Sequence, residues 1–412
     1  MKEQNSIKIG ILAGVGGMLE FYCFILYILF YVQIEQTFFE GVQSAFLKNL
    51  LTIAVFSVAY IVRPIGSVIL GIMGDNYGRK KTFTFTILLM SATLIVMGLT
   101  PGYAKIGVAA PIIFIVFRIL QGIALGGELP TAIVFTYESV KKKGLALGIL
   151  FTFVMAGFVF GALMSIFFKT FFGAYAWRVA FLSGAFIGVL GYYIRQKLHE
   201  TPMFEAISQK EKFPLRVLLT KYAYNQVATI LVTIIIGFAG VVVSLYLAKY
   251  FKVTLGLKGE FYTWVLPIGL TINLVFIYFS GIAVDKINHK KMYQYAAYAL
   301  LVLAIPAFLL MNLRTPFGVS AGFIILAFPT MVCVGSFMII LCESFPTNVR
   351  LSGVGVAYNL AFAIVGGFAP VSIELLIPVL GKVYGIATVS IVCAILTIIG
   401  THMLKKAEVI TH

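Results

Sequence analysis

Four ionisable side chains lie inside long apolar runs of this 412-residue sequence: Glu20, Arg63, Arg118 and Glu128. Holding such a group at membrane depth costs at least ~2–3 kcal/mol, which makes each a candidate for function. Glu20 sits at the midpoint of its run, in Gly16-Gly17-Met18-Leu19-Glu20-Phe21-Tyr22, and Arg63 precedes Pro64. Arg118 and Glu128 share one run, with Gln121 one helical turn after Arg118 on the same face. A carboxylate beside a guanidinium in a low dielectric can exchange a proton as its access to water changes, because desolvation favours the neutral acid and the cation favours its anion. Glu20 and Arg118 are the expected pair for that chemistry. A guanidinium also suits capture of a carboxylate ligand. The competing reading is a buried ion pair that only fixes helix packing, and it weighs most on Arg63 and Glu128, which lie towards the cytoplasmic ends of their runs.

All four charges fall in the first half of the chain. The second half offers neutral polar groups at depth: Asn273, Tyr278, Ser336, Tyr358 and Asn359. This asymmetry predicts coupling chemistry in one half and substrate shaping in the other. The expected substrate-contacting set is Tyr22, Arg63, Gln121, Glu128, Asn273, Tyr358 and Asn359. The aromatic content of 15%, with Phe21, Tyr22 and Tyr27 near Glu20, also suits a quaternary ammonium zwitterion, although most of these rings pack or face lipid.

Such groups need membrane-spanning helices to position them. The chain is 61% hydrophobic and 11% charged, whereas soluble domains run near ~45–50% and ~25%. Runs of the ~20 residues that span a bilayer are Ile9–Tyr31, Leu47–Ile72, Thr82–Thr100, Val108–Tyr137, Gly144–Phe168 and Arg178–Ile194. Six more follow: Ala223–Tyr250, Phe261–Val284, Met292–Leu313, Phe317–Cys342, Ser352–Leu380 and Tyr384–Leu404. The first run is too long for a signal-peptide core and no A-x-A-like site follows it, so it reads as a retained helix. The fold class is therefore an all-α integral membrane protein of twelve transmembrane helices. Its expected domains are a six-helix half at 1–195, a cytoplasmic linker at 196–222 and a second six-helix half at 223–412.

The net charge of +16 is concentrated in short loops: Arg79-Lys80-Lys81, Lys141-Lys142-Lys143, Arg195 to Lys221, Lys286 with Lys290-Lys291, and Lys405-Lys406. Alternate assignment of loops puts roughly 20 Lys/Arg on one side and about 9 on the other, the imbalance of cytoplasmic against external loops. Both termini are expected in the cytoplasm. The charge is topogenic, and no nucleic-acid partner is expected.

A repeat crosses the middle of the chain. Gly71-Ile72-Met73-Gly74-Asp75-Asn76-Tyr77-Gly78-Arg79-Lys80-Lys81 matches Gly281-Ile282-Ala283-Val284-Asp285-Lys286-Ile287-Asn288-His289-Lys290-Lys291, each after the second span of its half. Glu138-Ser139 through Lys143-Gly144 echoes Glu343-Ser344 through Arg350, each after the fourth span. Duplicated halves of this kind place a binding site between them near the midplane. The glycines permit a tight loop and close helix approach. Gly71, Asp75, Gly78, Arg79, Glu138, Asp285, Glu343 and Arg350 are expected to form a cytoplasmic gate, with ion pairs that hold the halves together in one state. The bland alternative is a topogenic basic loop.

Cys23, Cys333, Cys342 and Cys393 lie singly in apolar stretches, and the four His are isolated, so neither metal nor cofactor is expected. A membrane enzyme would need a catalytic cluster in a loop, and a receptor would need a large output domain. The sequence offers neither.

The 71–81 segment resembles the signature of the major facilitator superfamily, and Arg118-Ile119-Leu120-Gln121-Gly122 resembles its fourth-helix RxxQG motif. A narrower resemblance is to the metabolite:proton symporters, the group of proline/betaine, α-ketoglutarate, shikimate and citrate carriers. It rests on Arg63-Pro64-Ile65-Gly66, the 99–107 segment Leu-Thr-Pro-Gly-Tyr-Ala-Lys-Ile-Gly, Gly126-Gly127-Glu128, Trp177-Arg178, Glu200-Thr201-Pro202-Met203-Phe204-Glu205, Phe345-Pro346-Thr347-Asn348-Val349-Arg350 and Tyr358-Asn359-Leu360. It covers nearly the whole chain. The resemblance implies a multi-pass transporter of the bacterial cytoplasmic membrane, a monomer in the bilayer, moving a small carboxylate or zwitterionic osmolyte by alternating access with protons. An exporter of a metabolite or siderophore, or a proton-independent facilitator, is the alternative. Two departures matter. The family's first helix reads close to Glu-Trp-Tyr-Asp-Phe, and here it is Glu20-Phe21-Tyr22-Cys23-Phe24, so the aspartate that would be a proton site is a cysteine. Asn288-His289 stands where the second-half pattern would have Gly-Arg, which predicts a weaker gate there.

Overall fold

The computed structural model describes residues 5–207, 211 and 213–404, so Lys405-Lys406 and part of the expected linker lie outside the described residues. The first half contains α1 (Ser6–Leu29), α2 (Ala45–Tyr77), α3 (Arg79–Leu99), α4 (Ala109–Ser139), α5 (Lys143–Phe172) and α6 (Ala176–Gln196). The second begins with α7 (Ala223–Thr254), α8 (Glu260–Val284), α9 (His289–Asn312) and α10 (Pro316–Glu343). A last helical stretch, Arg350–Met403, has 54 residues and as one rod would measure about 80 Å, far beyond the ~30 Å core of a bilayer. Gly381, at φ 85°, reverses it into α11 (350–380) and α12 (382–403). Twelve spans result. Side-chain oxygens of Asn5, Ser44, Asn288 and Thr315 accept from the first backbone N–H groups of α1, α2, α9 and α10, which fixes where those helices start.

Two boundaries differ from the sequence reading. The Gly71–Tyr77 stretch is not a loop: it forms the last turns of α2, and the chain reverses only at Gly78, whose φ of 115° favours glycine. The seventh span is α-helical only to Phe238 and then adopts wider π-helical turns at Ala239–Tyr246 and Tyr250–Thr254. Within the first of these the Ser244 hydroxyl donates to the Ala239 carbonyl five residues back, 2.9 Å away. Such turns re-aim side chains inside a helix.

Lipid offers no hydrophobic drive between helices, so close packing depends on small residues. A methyl group at Gly66 would lie 2.3 Å from the Ile123 carbonyl oxygen, and one at Gly126 2.2 Å from that of Arg63. This crossing brings Arg63 of α2 against α4. Between the halves, a methyl at Gly148 of α5 would lie 2.8 Å from the Cα of Gly281 in α8. The equivalent crossing by internal symmetry joins Gly71 of α2 to Ser352 of α11, where a methyl would meet the Ser352 Cα at 2.7 Å. Large apolar side chains on the outer helix faces, such as Ile61, Phe186, Val302 and Phe368, are exposed, as a lipid-facing surface requires.

Candidate functional site

Twelve residues separate Arg63 from Asp75, so Arg63 lies roughly 18 Å along α2 from the loop end of the bundle, near mid-membrane. There its Nη2 lies 2.9 Å from Glu20 Oε1, and both side chains are almost fully buried. Arg63 Nε donates to Asn359 Oδ1 of α11 at 3.0 Å. Asn359 Nδ2 in turn donates to the carbonyls of Gly126 (2.8 Å) and Gly355 (2.9 Å). One polar chain thus links α1, α2, α4 and α11 across the boundary between the halves. Three rings surround the guanidinium: Tyr60, Phe362 and Tyr358, at 5.6, 5.8 and 5.9 Å from its carbon. Phe24 packs edge-on against Tyr60 at 5.1 Å and Phe21 against Phe158 at 4.7 Å. Gln121 Nε2 and Asn273 Oδ1 are buried without a hydrogen-bond partner, as polar atoms of a ligand or water site would be.

At the loop end a second network joins the halves. Asp75 accepts from the backbone N–H groups of Leu351 (3.1 Å) and Ser352 (2.9 Å), at the N-terminus of α11, where the helix dipole favours negative charge. Asp285 does the same for the opposite half, accepting from Gly144 (2.7 Å) and Leu145 (2.9 Å) at the start of α5. Arg79 Nε donates to Glu138 at 3.0 Å, and its other nitrogens reach the carbonyls of Gly74 and Thr347. Arg350 Nη1 donates to Glu138 at 2.6 Å and its Nε to the Cys342 carbonyl at 2.9 Å. Glu138 therefore lies between two arginines, one from each half.

These motifs and this architecture have a common owner. The Major Facilitator Superfamily description matches residues 13–370. The chain belongs to the Major Facilitator Superfamily. It is 30% identical over 437 residues to a Haemophilus influenzae (strain Rd) protein named for metabolite transport, with 98% of this chain and 97% of that one covered. It is 29% identical over 374 residues to the proline/betaine transporter of Escherichia coli (strain K12), with 86% and 74% covered. The proton:xylose symporter XylE, bound to 6-bromo-6-deoxy-D-glucose, superposes with a TM-score of 0.78 at 16% identity, covering 96% of this chain and 94% of that one. That last likeness shows the fold alone.

Within this superfamily fold several expected residues stand elsewhere than the sequence suggested. Glu20 pairs with Arg63, not with Arg118, because the tight α2–α4 crossing carries Arg63 to the halves' boundary. Arg118 Nη1 instead donates to Gln121 Oε1 on its own helix, and its guanidinium lies 4.4 Å from the centre of the Tyr27 ring. Tyr22 points into the first half, where its hydroxyl meets Ser183 Oγ of α6 at 2.7 Å. Glu128 is likewise enclosed in the first half: its Oε1 accepts from Arg195 Nη2 at 2.6 Å, and Thr86 donates to its Oε2. Glu343 pairs with His289 of its own half at 2.9 Å, the positional counterpart of the Glu138–Arg79 pair. His289 and Glu343 are partly exposed whereas Arg79 and Glu138 are buried, because histidine is too short to bridge to the other half as Arg79 does.

Two sets of residues escaped the sequence reading. Arg195, read only as the start of a basic stretch, is 1% exposed, and its guanidinium carbon lies 3.4 Å from the centre of the Phe83 ring. The available signal was Gly16: a methyl there would lie 1.7 Å from Arg195 Nη2, so the glycine leaves room for the guanidinium. The segment Glu200–Phe204 carried only family resemblance. In the structure Glu200 accepts from the backbone N–H of Arg79 and Lys80 at 3.2 Å, Thr201 Oγ1 donates to Glu138 at 2.7 Å, and the Phe204 ring centre lies 4.7 Å from the Arg79 guanidinium.

Proposed function

We propose that this chain is a secondary active transporter that moves a small zwitterionic or carboxylate metabolite across the bacterial cytoplasmic membrane by alternating access, with proton symport through Glu20. Both termini and the Asp75–Arg350 network lie on the cytoplasmic side in this reading, and the structure represents the state closed on that side. The observation that carries the proposal is the Glu20–Arg63–Asn359 chain. A buried carboxylate and guanidinium are joined to the opposite half by one amide, so separating the halves must break the Arg63–Asn359 contact and rearrange the charges beside Glu20. Breaking it in one state and remaking it in the other couples protonation to access.

The same geometry supports a zwitterion over a dianion. Glu20 already offsets the charge of Arg63, so the site is close to neutral as a pair. A substrate carboxylate competes with Glu20 for Arg63, and a substrate cation lies against Tyr60, Tyr358 and Phe362. The name of the Escherichia coli relative agrees with this class. Uptake of labelled proline, betaine, dicarboxylates, citrate and shikimate into proteoliposomes, with and without an imposed pH gradient, tests both parts. Saturable uptake that ignores the gradient in the wild-type protein would remove the proton role.

A further inference from the structure

Arg79-Lys80-Lys81 begins α3, and the gate absorbs only Arg79. Among the described residues neither the Lys80 nor the Lys81 ammonium has an anionic partner, whereas the Arg79 guanidinium beside them is fully engaged. The symmetry-related Lys290 is spoken for, because its ammonium donates to the Leu404 carbonyl at the end of α12 (3.3 Å). Glu200, which lies against the start of α3, is occupied by the backbone N–H groups of Arg79, Lys80 and Thr201. Lys80 and Lys81 instead border a cleft of about 320 Å³ between the start of α3 and the end of α6.

The lining changes character along α3. Lys80 and Lys81 stand at its start with Gln196, the last residue of α6, beside them, and Thr84 follows one turn on. Phe85, Leu88 and Tyr192 form the wall towards the bilayer, and Phe85 and Leu88 remain partly exposed on the lipid-facing side. Lys81, Thr84, Phe85 and Leu88 share one face of α3 by their i, i+3, i+4, i+7 spacing, and Tyr192 and Gln196 share one face of α6. A cation pair, then hydroxyl and amide groups, then apolar side chains match the phosphate, glycerol and acyl portions of a phospholipid in order. Paired lysines at the edge of the hydrocarbon core attract anionic headgroups by about tenfold or more in combination.

We infer that the α3–α6 cleft is a binding site for one anionic phospholipid, with its phosphate held by Lys80 and Lys81 and its first acyl segment against Phe85, Leu88 and Tyr192. The test is native mass spectrometry of the full chain released from mixed micelles containing phosphatidylglycerol and phosphatidylcholine of equal acyl composition. Wild-type protein is expected to retain phosphatidylglycerol preferentially, and K80Q/K81Q to lose that preference by roughly tenfold or more. K80R/K81R keeps the charge and is expected to keep the preference. T84W fills the cleft while leaving both lysines unsubstituted and is expected to lose the lipid; it decides the matter should K80Q/K81Q fail to fold. Equal retention of the two lipids by wild type, or an unchanged preference in T84W or K80Q/K81Q, would overturn the assignment. Displacement of the lipid by inorganic phosphate would overturn it too, since the site would then belong to a soluble anion.

Discussion

At the scale of single residues, the Glu20–Arg63 and Glu128–Arg195 pairs have opposite surroundings, and their substitutions should fail differently. Glu20–Arg63 touches the other half through Asn359; Glu128–Arg195 is enclosed by α1, α3, α4 and α6. Removing one member of an enclosed pair strands a buried charge at a cost of roughly 3–5 kcal/mol. Arg195→Ala should therefore lower thermal stability and yield, and adding Glu128→Ala should recover much of the loss. A double-mutant cycle by thermal melting in detergent measures this, and additive losses would refute the pairing. Glu20→Gln leaves Arg63 with its Asn359 bond and should fold normally. Its expected defect is loss of uptake driven by a pH gradient, with counterflow exchange of substrate retained. Glu20 and Arg63 were both visible in the sequence as charges in apolar runs. Which arginine Glu20 would meet was not, because pairing between helices depends on crossings that no local pattern encodes.

At the scale of elements, helix ends and helix crossings carry the proposed gate. Asp75 and Asp285 each seat a carboxylate on the N-terminus of a helix from the opposite half, a contact worth up to ~2 kcal/mol in partly buried geometry. Asp75→Asn keeps one acceptor oxygen and loses the charge. It should raise labelling of a cysteine placed at Ser352, which Asp75 covers in the closed state; labelling equal to that of the parent cysteine variant would argue against a gate. The Gly148–Gly281 crossing sets a steric limit instead. Gly148→Leu puts side chain where α8 must lie, so it should disfavour closure at the basic end and slow transport while leaving insertion intact, read by the same labelling and by uptake. The repeat in the sequence pointed to Asp75, Gly281 and Asp285, and the glycine and acid types explained why; Gly148 lies outside it. The receiving groups, backbone N–H of Leu351, Ser352, Gly144 and Leu145, could not be read because they are not side chains. The bracing of Arg79 by Glu200 and Phe204 was hidden for a similar reason: the segment looks like a polar linker until it folds back beneath the bundle.

At the scale of the whole molecule, the polar contacts described between the halves run from the basic loops to the level of Arg63, and internal symmetry relates the seat of Asp75 to that of Asp285 and the Arg79 position to that of His289. The pairs are unequal. Arg79 crosses to Thr347 of the second half, whereas His289 stays with Glu343 of its own half. The first-half motif should therefore dominate closure: Arg79→Ala is expected to impair transport far more than His289→Ala, in uptake assays normalised to surface expression. Equal defects would show that the two loops share the load.

The sequence by itself determined what depends on composition and short-range pattern. Apolar runs long enough for a bilayer set the twelve spans, and the repeated Gly/Asp/Lys segments marked two halves and their facing ends. It also singled out Glu20, because a lone acid in an apolar helix is costly wherever the helix lies. Only the tertiary structure decided which charges meet. Glu20 joined Arg63, Glu128 joined Arg195, and Lys80 and Lys81 were left bordering the α3–α6 cleft. Each outcome rests on how closely two helices approach, and that distance is set by small residues on both helices at once, which neither run specifies alone.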